Sequence, residues 1–347
     1  MPGRSRTVIA LVVLVGFAGA TGLLAQDSWR LQVHHDGAVD EYDVAAIDSI
    51  TFVPVEFTPP PLVAVPAGSF AMGGYDGYCG FNTHQVTLTR GILVGQHEVT
   101  NQEFLDGLRW AFARGHVAVV DGQVRDTLDG SDEVLLDLDD ADCEIAFADG
   151  GFVLRDAGWG VNPQHPVVEV RWFGAVCFCD WSSLRDGLPR AYLHVGDWPC
   201  NGGDPYGAAG FRLLTDAEWE YVARYPDGRP YPWGGQDPAC ALANFAPADG
   251  PCVGWTTIAG AYPAGQSFLG LADLAGNVFE WCNDWHECDL GWAAQVDPRG
   301  PADGSRRVLR GGGWVCQALN VRSTSRDCFA PAGAANHAGF RIARTGR

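Results

Sequence analysis

Positive charge is scarce in this chain. Its 347 residues carry 23 Lys and Arg against 42 Asp and Glu, a formal net charge of -19. A surface that acidic repels phosphate backbones and anionic lipid headgroups, so nucleic acid is not expected as a partner. Nucleotide signatures are missing as well: no Gly-x-Gly-x-x-Gly opens a helix and no phosphate loop occurs. The Gly-x-Ser-x-Gly elbow of α/β-hydrolases is absent. His97-Glu98 lacks the second His of a zinc protease helix, and the nine His never fall at ligand spacing, so they are expected as surface or packing residues. No internal repeat is visible. Beyond the first 25 residues no stretch is apolar enough to cross a membrane.

What is present begins with an address. Arg4 and Arg6 precede an uncharged apolar run from Thr7 to Leu24, and Ala25 offers a small residue before Gln26. This is the pattern of a secretory signal peptide over residues 1-25, so the mature chain is expected to start near Gln26, secreted or periplasmic, and not to be integral to a membrane. Gly16, Gly19 and Gly22 weaken the run as a permanent anchor. Cleavage removes two positive charges and takes the net charge to -21. All eleven Cys follow the run, in a chain addressed to an oxidising compartment where disulfides persist. The odd number leaves at least one thiol unpaired. Cys240 with Cys252 and Cys282 with Cys288 are near enough in sequence to close short loops, although spacing alone does not fix connectivity.

Residues 26-55 read as a short strand pair, Arg30 to His34 and Ser49 to Val53, with Asp36-Gly37 as a turn signal. Residues 56-62 hold three consecutive Pro and read as a stiff extended linker at a domain boundary. Thr100-Asn-Gln-Glu103 is a capping box that predicts a helix with Phe104, Leu105, Leu108 and Phe112 on one face, ending at Gly115. A second helix is predicted from about Gly174 to Arg185, and Thr215-Asp-Ala-Glu218 caps a third. Elsewhere Gly and Pro leave room only for short strands and loops, and 13 Trp point to a core made by aromatics. Residues 126-144 hold nine Asp and Glu without the ligand spacing of an EF-hand, so the segment reads as a solvated acidic insertion.

The richest chemistry lies in the last third. Asp273-Leu-Ala-Gly-Asn-Val-Phe-Glu280 places a Gly-containing turn between two carboxylates. Such a turn can gather hard oxygen ligands around calcium, or can be held by the Asp side chain on backbone amides. The same region carries Gly210-Phe-Arg-Leu-Leu-Thr-Asp-Ala-Glu-Trp-Glu-Tyr221, Arg307-Val-Leu-Arg-Gly-Gly-Gly-Trp-Val-Cys316 and Gly339-Phe-Arg341. Upstream stand Val63-Ala-Val-Pro-Ala-Gly-Ser-Phe-Ala-Met-Gly73, His97-Glu-Val-Thr-Asn101 and Pro166-Val-Val-Glu-Val-Arg-Trp172. In this order, these segments resemble the sulfatase-modifying-factor family, the fold of the formylglycine-generating enzyme. The resemblance implies an α+β, loop-rich domain of C-type-lectin-like topology over residues 63-345.

The resemblance also implies sites. The family's calcium turn falls on Asp273, the carbonyls of Gly276 and Val278, and Glu280; its other calcium site begins at Asn244 with the carbonyl of Phe245. The family's copper(I) lies between two thiolates five residues apart and oxidises a cysteine of a client sulfatase to an aldehyde. Cys316 matches the first thiolate and is the candidate catalytic residue. The second position is Val321, which cannot bind a metal. Gly313 and Gln317 replace a Ser and a His of the same segment. Cys328, twelve residues on, is expected to form a disulfide with Cys316. Cys179 matches one half of a family disulfide whose other half falls on Ile342. A related branch, the nonheme-iron sulfoxide synthases, joins this fold to a helical iron-binding domain that these residues do not contain. Two functions follow: a copper-dependent oxidase of a protein cysteine, or a calcium-stabilised binding or scaffold protein with a protein or peptide client. The missing thiolate favours the second. No Cys-x-Pro-x-Arg occurs, so the chain is not its own substrate.

Overall fold

A computed structural model describes residues 56-74 and 82-346 in full, together with the backbone of three earlier strands. The chain divides into two compact units, Met1–Pro54 and Val55–Arg347. In the first, Val13–Gly16, Trp29–His35 and Ala38–Asp43 form an antiparallel sheet in chain order. His35 pairs with Ala38. The hairpin partner is therefore 38-43; the strand expected at 49-53 lies outside the described residues.

The second unit is assembled from short sheets around three helices. Helix α1, Asn101–Phe112, opens on the expected capping box: Thr100 accepts from the Glu103 amide and Glu103 reaches back to the Thr100 amide. Helix α3, Asp216–Arg224, repeats it with Thr215 and Glu218. Helix α2, Trp172–Arg185, begins two residues earlier than its apolar density suggested and has no side-chain cap. Strand Phe211–Leu213 pairs with Ile342–Thr345, which pairs with Ile92–Gly95 and then Leu62–Val65. A second four-stranded sheet places Phe279–Trp285 between Arg307–Arg310 and Ala338–Gly339. Both sheets thus bring the C-terminal Gly339-Phe-Arg segment beside chain from the middle of the domain.

The core is aromatic, as the Trp count implied. Phe104 of α1 stacks on Phe178 of α2, and both rings meet Phe340 edge-on. Trp172, Trp181, Trp219 and Trp281 are fully buried. Each such ring removes roughly 150–250 Å² from water, so a few of them anchor a domain poor in regular structure. The Pro-rich segment is not a free linker: it belongs to the second unit, Leu62 opens strand Leu62–Val65, and the Phe57 ring packs on Trp110 and Phe178.

Two expectations change. The acidic segment 126-144 is not simply solvated: it forms strand Val134–Asp137 in a sheet with Gln123–Asp126 and Val117–Val120, and buries Leu135, Leu136 and Leu138. The apolar residues between its acids carry the packing. Among the cysteines, Cys240–Cys252 is a disulfide and Cys288 is disulfide-bonded, but Cys282 is free and buried, so the Cys282–Cys288 loop does not form. Cys282 sits mid-strand with its side chain in the core, which turns it away from the loop beyond the strand end.

Candidate functional site

Strand Phe279–Trp285 enters the core behind a tight turn. Asp273, Gly276 and Asn277 adopt φ of 55°, 81° and 63°. At Gly276 the glycine is required twice, by the positive φ and because a Cβ would stand 2.3 Å from the carbonyl oxygen of Asn244. The Asn277 amide donates to that same carbonyl at 2.8 Å, which joins the two groups of expected ligands. Asn244 Nδ2 donates to the Trp255 carbonyl at 2.7 Å, while Asn244 Oδ1 is buried without a partner. The Phe245 carbonyl accepts from the Cys252 amide at 2.9 Å.

Glu98, which sequence reasoning passed over, fills the inside of the turn. Its carboxylate accepts from Asn277 Nδ2 at 2.7 Å and from the Val278 amide at 3.1 Å. Asp273 Oδ2 accepts from the Gly260 amide at 2.5 Å. Glu280 is held by Arg341 and by Trp219 Nε1 at 2.8 Å. Burial, then the neighbouring carboxylates, raises Glu98 well above the usual carboxylate range; burial also raises Asp273. Three buried carboxylates therefore face one buried guanidinium, Arg341. That excess of negative charge, with the orphaned Asn244 oxygen, fits a hard divalent cation. Asp273, Glu280 and the carbonyls of Gly276 and Val278 are the groups that would hold one such ion, and Asn244 with the Phe245 carbonyl would begin the other site.

Cys316 occupies a loop on the same side of the domain. Its amide donates to the Gly313 carbonyl at 2.9 Å, and its carbonyl accepts from the Ala246 amide at 2.7 Å. The half-buried thiol is free, and burial pushes it up to about 11, so it is protonated at neutral pH. Cys328 is free too, held in strand Arg326–Phe329 opposite Val308, so the expected Cys316–Cys328 disulfide does not form. Val321 is fully buried among Tyr231, Ala243, Phe245 and Ala275, whereas Cys316 packs against the separate core around the helices. Gly312, at φ 72°, closes over it; a Cβ there would meet Val321 Cγ1 at 3.0 Å. Cys316 and Val321 thus belong to different packing clusters, and one protonated thiol does not fit a copper(I) site of two thiolates.

An aromatic ladder runs beside this loop. Trp159, 52% exposed, stacks on Trp255 with ring centres 5.0 Å apart and planes 8° from parallel. Trp255 in turn meets Trp314, two residues before Cys316, at 5.5 Å. Val161, Ile258 and Val315, next to these rings in sequence, are also exposed.

Comparison with known proteins places this arrangement. The sulfatase-modifying factor enzyme 1-like domain family matches residues 50–346. The chain belongs to that family. A relative is the formylglycine-generating enzyme of Thermomonospora curvata, 29% identical over 81% of this chain and 92% of that enzyme. Another is the serine/threonine-protein kinase Pkn1 of Chlamydia trachomatis, 30% identical over 83% of this chain but only 39% of the kinase. Among solved structures, Treponema denticola variable protein 1 superposes with a TM-score of 0.58 at 24% identity, covering 82% of this chain and 95% of that one. The expected α+β formylglycine-generating-enzyme fold, C-type-lectin-like and loop-rich, is the fold of this chain.

This member of the sulfatase-modifying-factor family also carries a buried ionic network that its sequence did not announce. His194 Nδ1 lies 2.7 Å from Asp126 and Nε2 3.0 Å from Asp180, with all three side chains fully buried. Both ring nitrogens face carboxylates, so the ring serves both only as the imidazolium. Trp198 stacks on it, 4.0 Å between ring centres. His194 is therefore a buried packing residue, as expected of an isolated His, and in addition an ion-paired one, which its spacing did not announce. A cavity of about 320 Å³ beyond Trp198 is lined by Asn283, Asp284, Trp285, Arg299 and Arg307 and includes neither Cys316 nor the aromatic ladder. Among the described residues no helix is long and apolar enough to cross a membrane.

Proposed function

We propose that this protein is an exported, calcium-stabilised binding member of its family that does not oxidise cysteine. Val321 carries the reading. It stands where the resemblance puts the second copper ligand, offers no lone pair, and is part of the packed core. The remaining thiol is held protonated by burial, so it is a poor metal ligand and a poor nucleophile at neutral pH. Exposed Trp159, backed by buried Trp255 and half-buried Trp314, supplies what binding needs: apolar area on a rigidly stacked side chain beside exposed Val161, Ile258 and Val315. A protein or peptide client that lays apolar side chains on these rings is the ligand class that fits. Export rests on the basic, apolar and small-residue order of residues 1-25.

The test has two arms. Pure protein incubated with copper, oxygen, a thiol reductant and a Cys-x-Pro-x-Arg peptide leaves the peptide mass unchanged; conversion to the aldehyde, lost on Cys316→Ser, would establish the oxidase instead. In the second arm, arrays of unstructured peptides are probed with the protein and with Trp159→Ala. Capture of apolar-rich peptides that weakens about tenfold in the variant supports the binding face. Equal signal from both proteins removes it. Mass spectrometry of exported protein should find Gln26 or a near neighbour at the N-terminus.

A further inference from the structure

Within the acidic segment, two carboxylates converge with a third from elsewhere. Asp140, Asp142 and Glu169 each place an oxygen within 4.8 Å of the other two. Asp140 and Asp142 belong to the turn after strand Val134–Asp137, where the Asp142 amide donates to Asp140 Oδ1 at 2.8 Å. Asp142 Oδ2 accepts from Asn336 Nδ2 at 2.8 Å. Glu169 precedes α2 by three residues and holds a left-handed backbone at φ 58°.

Glu169 is the informative member. It is 7% exposed, and no hydrogen-bond donor or cation among the described residues meets its carboxylate. Its electrostatic neighbours are Asp140, Asp142 and Asp137, all of the same sign. Arg155 is close, but it donates to the backbone carbonyls of Asp140 and Cys143 and leaves the carboxylates unpaired. Burial, then those like charges, raises Glu169 to about 7. A largely buried acid whose oxygen lies within 4.8 Å of two other carboxylates is unfavourable unless a cation joins them.

We propose that Asp140, Asp142 and Glu169 form a calcium site. All three donors are hard oxygens, with none of the imidazole or thiolate ligands that select zinc or copper. The only sulfur close by in sequence, Cys143, donates to the Ile145 carbonyl at 3.3 Å. Carboxylates can bind calcium through one or both oxygens, and the solvent-facing side of the turn leaves room for water to complete six to eight ligands. Magnesium, which demands a tight octahedron, suits this open turn less well. The ion would tie the acidic segment to the residue leading into α2. Through Asn336, whose carbonyl accepts from Trp314 Nε1 at 3.0 Å, it would also steady one edge of the aromatic ladder. No residue is shared with the turn at 273-280, so the site stands independently of the calcium expected there.

Calcium titration of the full chain by calorimetry, with thermal melts, decides the matter. Glu169→Gln should bind one calcium fewer than the wild type, and Asp142→Asn should weaken that same ion at least tenfold. Asp273→Asn should retain it, which separates this site from the family turn. In chelator Glu169→Gln should melt at or above the wild type, because a buried repulsion is gone; in millimolar calcium the order should reverse. Equal stoichiometry in wild type and Glu169→Gln, or equal calcium shifts including none, overturns the site. A Glu169→Gln deficit of the same size with and without calcium assigns Glu169 a purely structural role and overturns it too.

Discussion

Arg341 donates to both carboxylate oxygens of Glu280, from Nε at 2.6 Å and from a terminal nitrogen at 2.5 Å, with each side chain about 1% exposed. This pair joins the Gly339-Phe-Arg segment to the start of strand Phe279–Trp285, and further donation from Arg341 to the Gly95 and Ala272 carbonyls ties in the end of strand Ile92–Gly95 and the residue before the turn. Glu280 therefore has two possible duties, one to Arg341 and one to a cation, and simple removal confounds them.

Calcium dependence is better read at Asp273, whose carboxylate accepts from the Gly260 backbone amide and pairs with no arginine among the described residues. Because a ligand that binds the native state stabilises it by mass action, chelation should lower the melting temperature of the wild type. Asp273→Asn should remove most of that shift while keeping the hydrogen bond to Gly260. Glu280→Gln should instead cost about 3–5 kcal/mol in either condition, because it leaves a buried guanidinium without its counter-charge. A wild-type melting point that is identical in chelator and in millimolar calcium removes the metal from this turn.

The network around His194 predicts a pH dependence. Burial alone would lower the His194 pKa, but the hydrogen bonds and charges of Asp126 and Asp180 outweigh it and hold it above the usual value near 6.5. A folded pKa above the unfolded one gives stability that is complete below about 6.5 and is lost as pH rises through the folded value. His194→Gln should therefore be less stable than the wild type at pH 6 by about 3–5 kcal/mol, the range for a broken buried pair. The gap should narrow as pH rises above about 6.5 and through the raised folded value. Urea titrations at several pH values measure it, and a gap constant with pH denies the imidazolium.

Much of this architecture was legible because its signals are local. The boxes Thr100/Glu103 and Thr215/Glu218 span three residues each and fixed the starts of α1 and α3. Helix α2 has Arg171 at its N-cap with no side-chain bond, so its start had only a diffuse apolar signal. The Gly-containing turn between Asp273 and Glu280 was readable from its own spacing. Its filling by Glu98 was not, since the contact joins residues 179 apart. The same holds for His194 with Asp126, 68 residues apart, and for Asp142 with Asn336, 194 apart. The cysteine errors have one cause: sequence nearness was taken for spatial nearness, and strand direction separates Cys282 from Cys288 and Cys316 from Cys328.

Asp284 should set the acid-side slope of stability. Burial, then the charge of Asp216, raises it to about 8, while its Oδ2 accepts from the Asp216 amide at 3.0 Å. An acid whose folded pKa lies above the unfolded value near 3.9 stabilises fully below that value and progressively less as pH climbs toward 8. Asp284→Asn keeps an oxygen for the amide and cannot titrate. Between pH 4 and 8 its stability should fall less steeply than the wild type's, by up to about 1.4 kcal/mol per pH unit. Identical slopes in guanidinium titrations would show that Asp284 is ionised in the fold.

The second copper position offers the sharpest test of how far this chain has moved from oxidation. Val321 and Cys316 pack into different parts of the core, and Gly312 closes over Val321 with no space to spare. Val321→Cys removes one methyl group's worth of packing, a loss of about 1 kcal/mol, so the variant should fold. Its new thiol would point into the cluster of Tyr231 and Phe245 rather than toward Cys316. The expectation is that Val321→Cys gains neither copper(I) affinity in a chelator competition nor aldehyde formation on a Cys-x-Pro-x-Arg peptide. If it gains both, and Cys316→Ser abolishes them, the loop closes on a metal more readily than its packing implies. The protein is then an oxidase one ligand short, and the binding role would have to be abandoned.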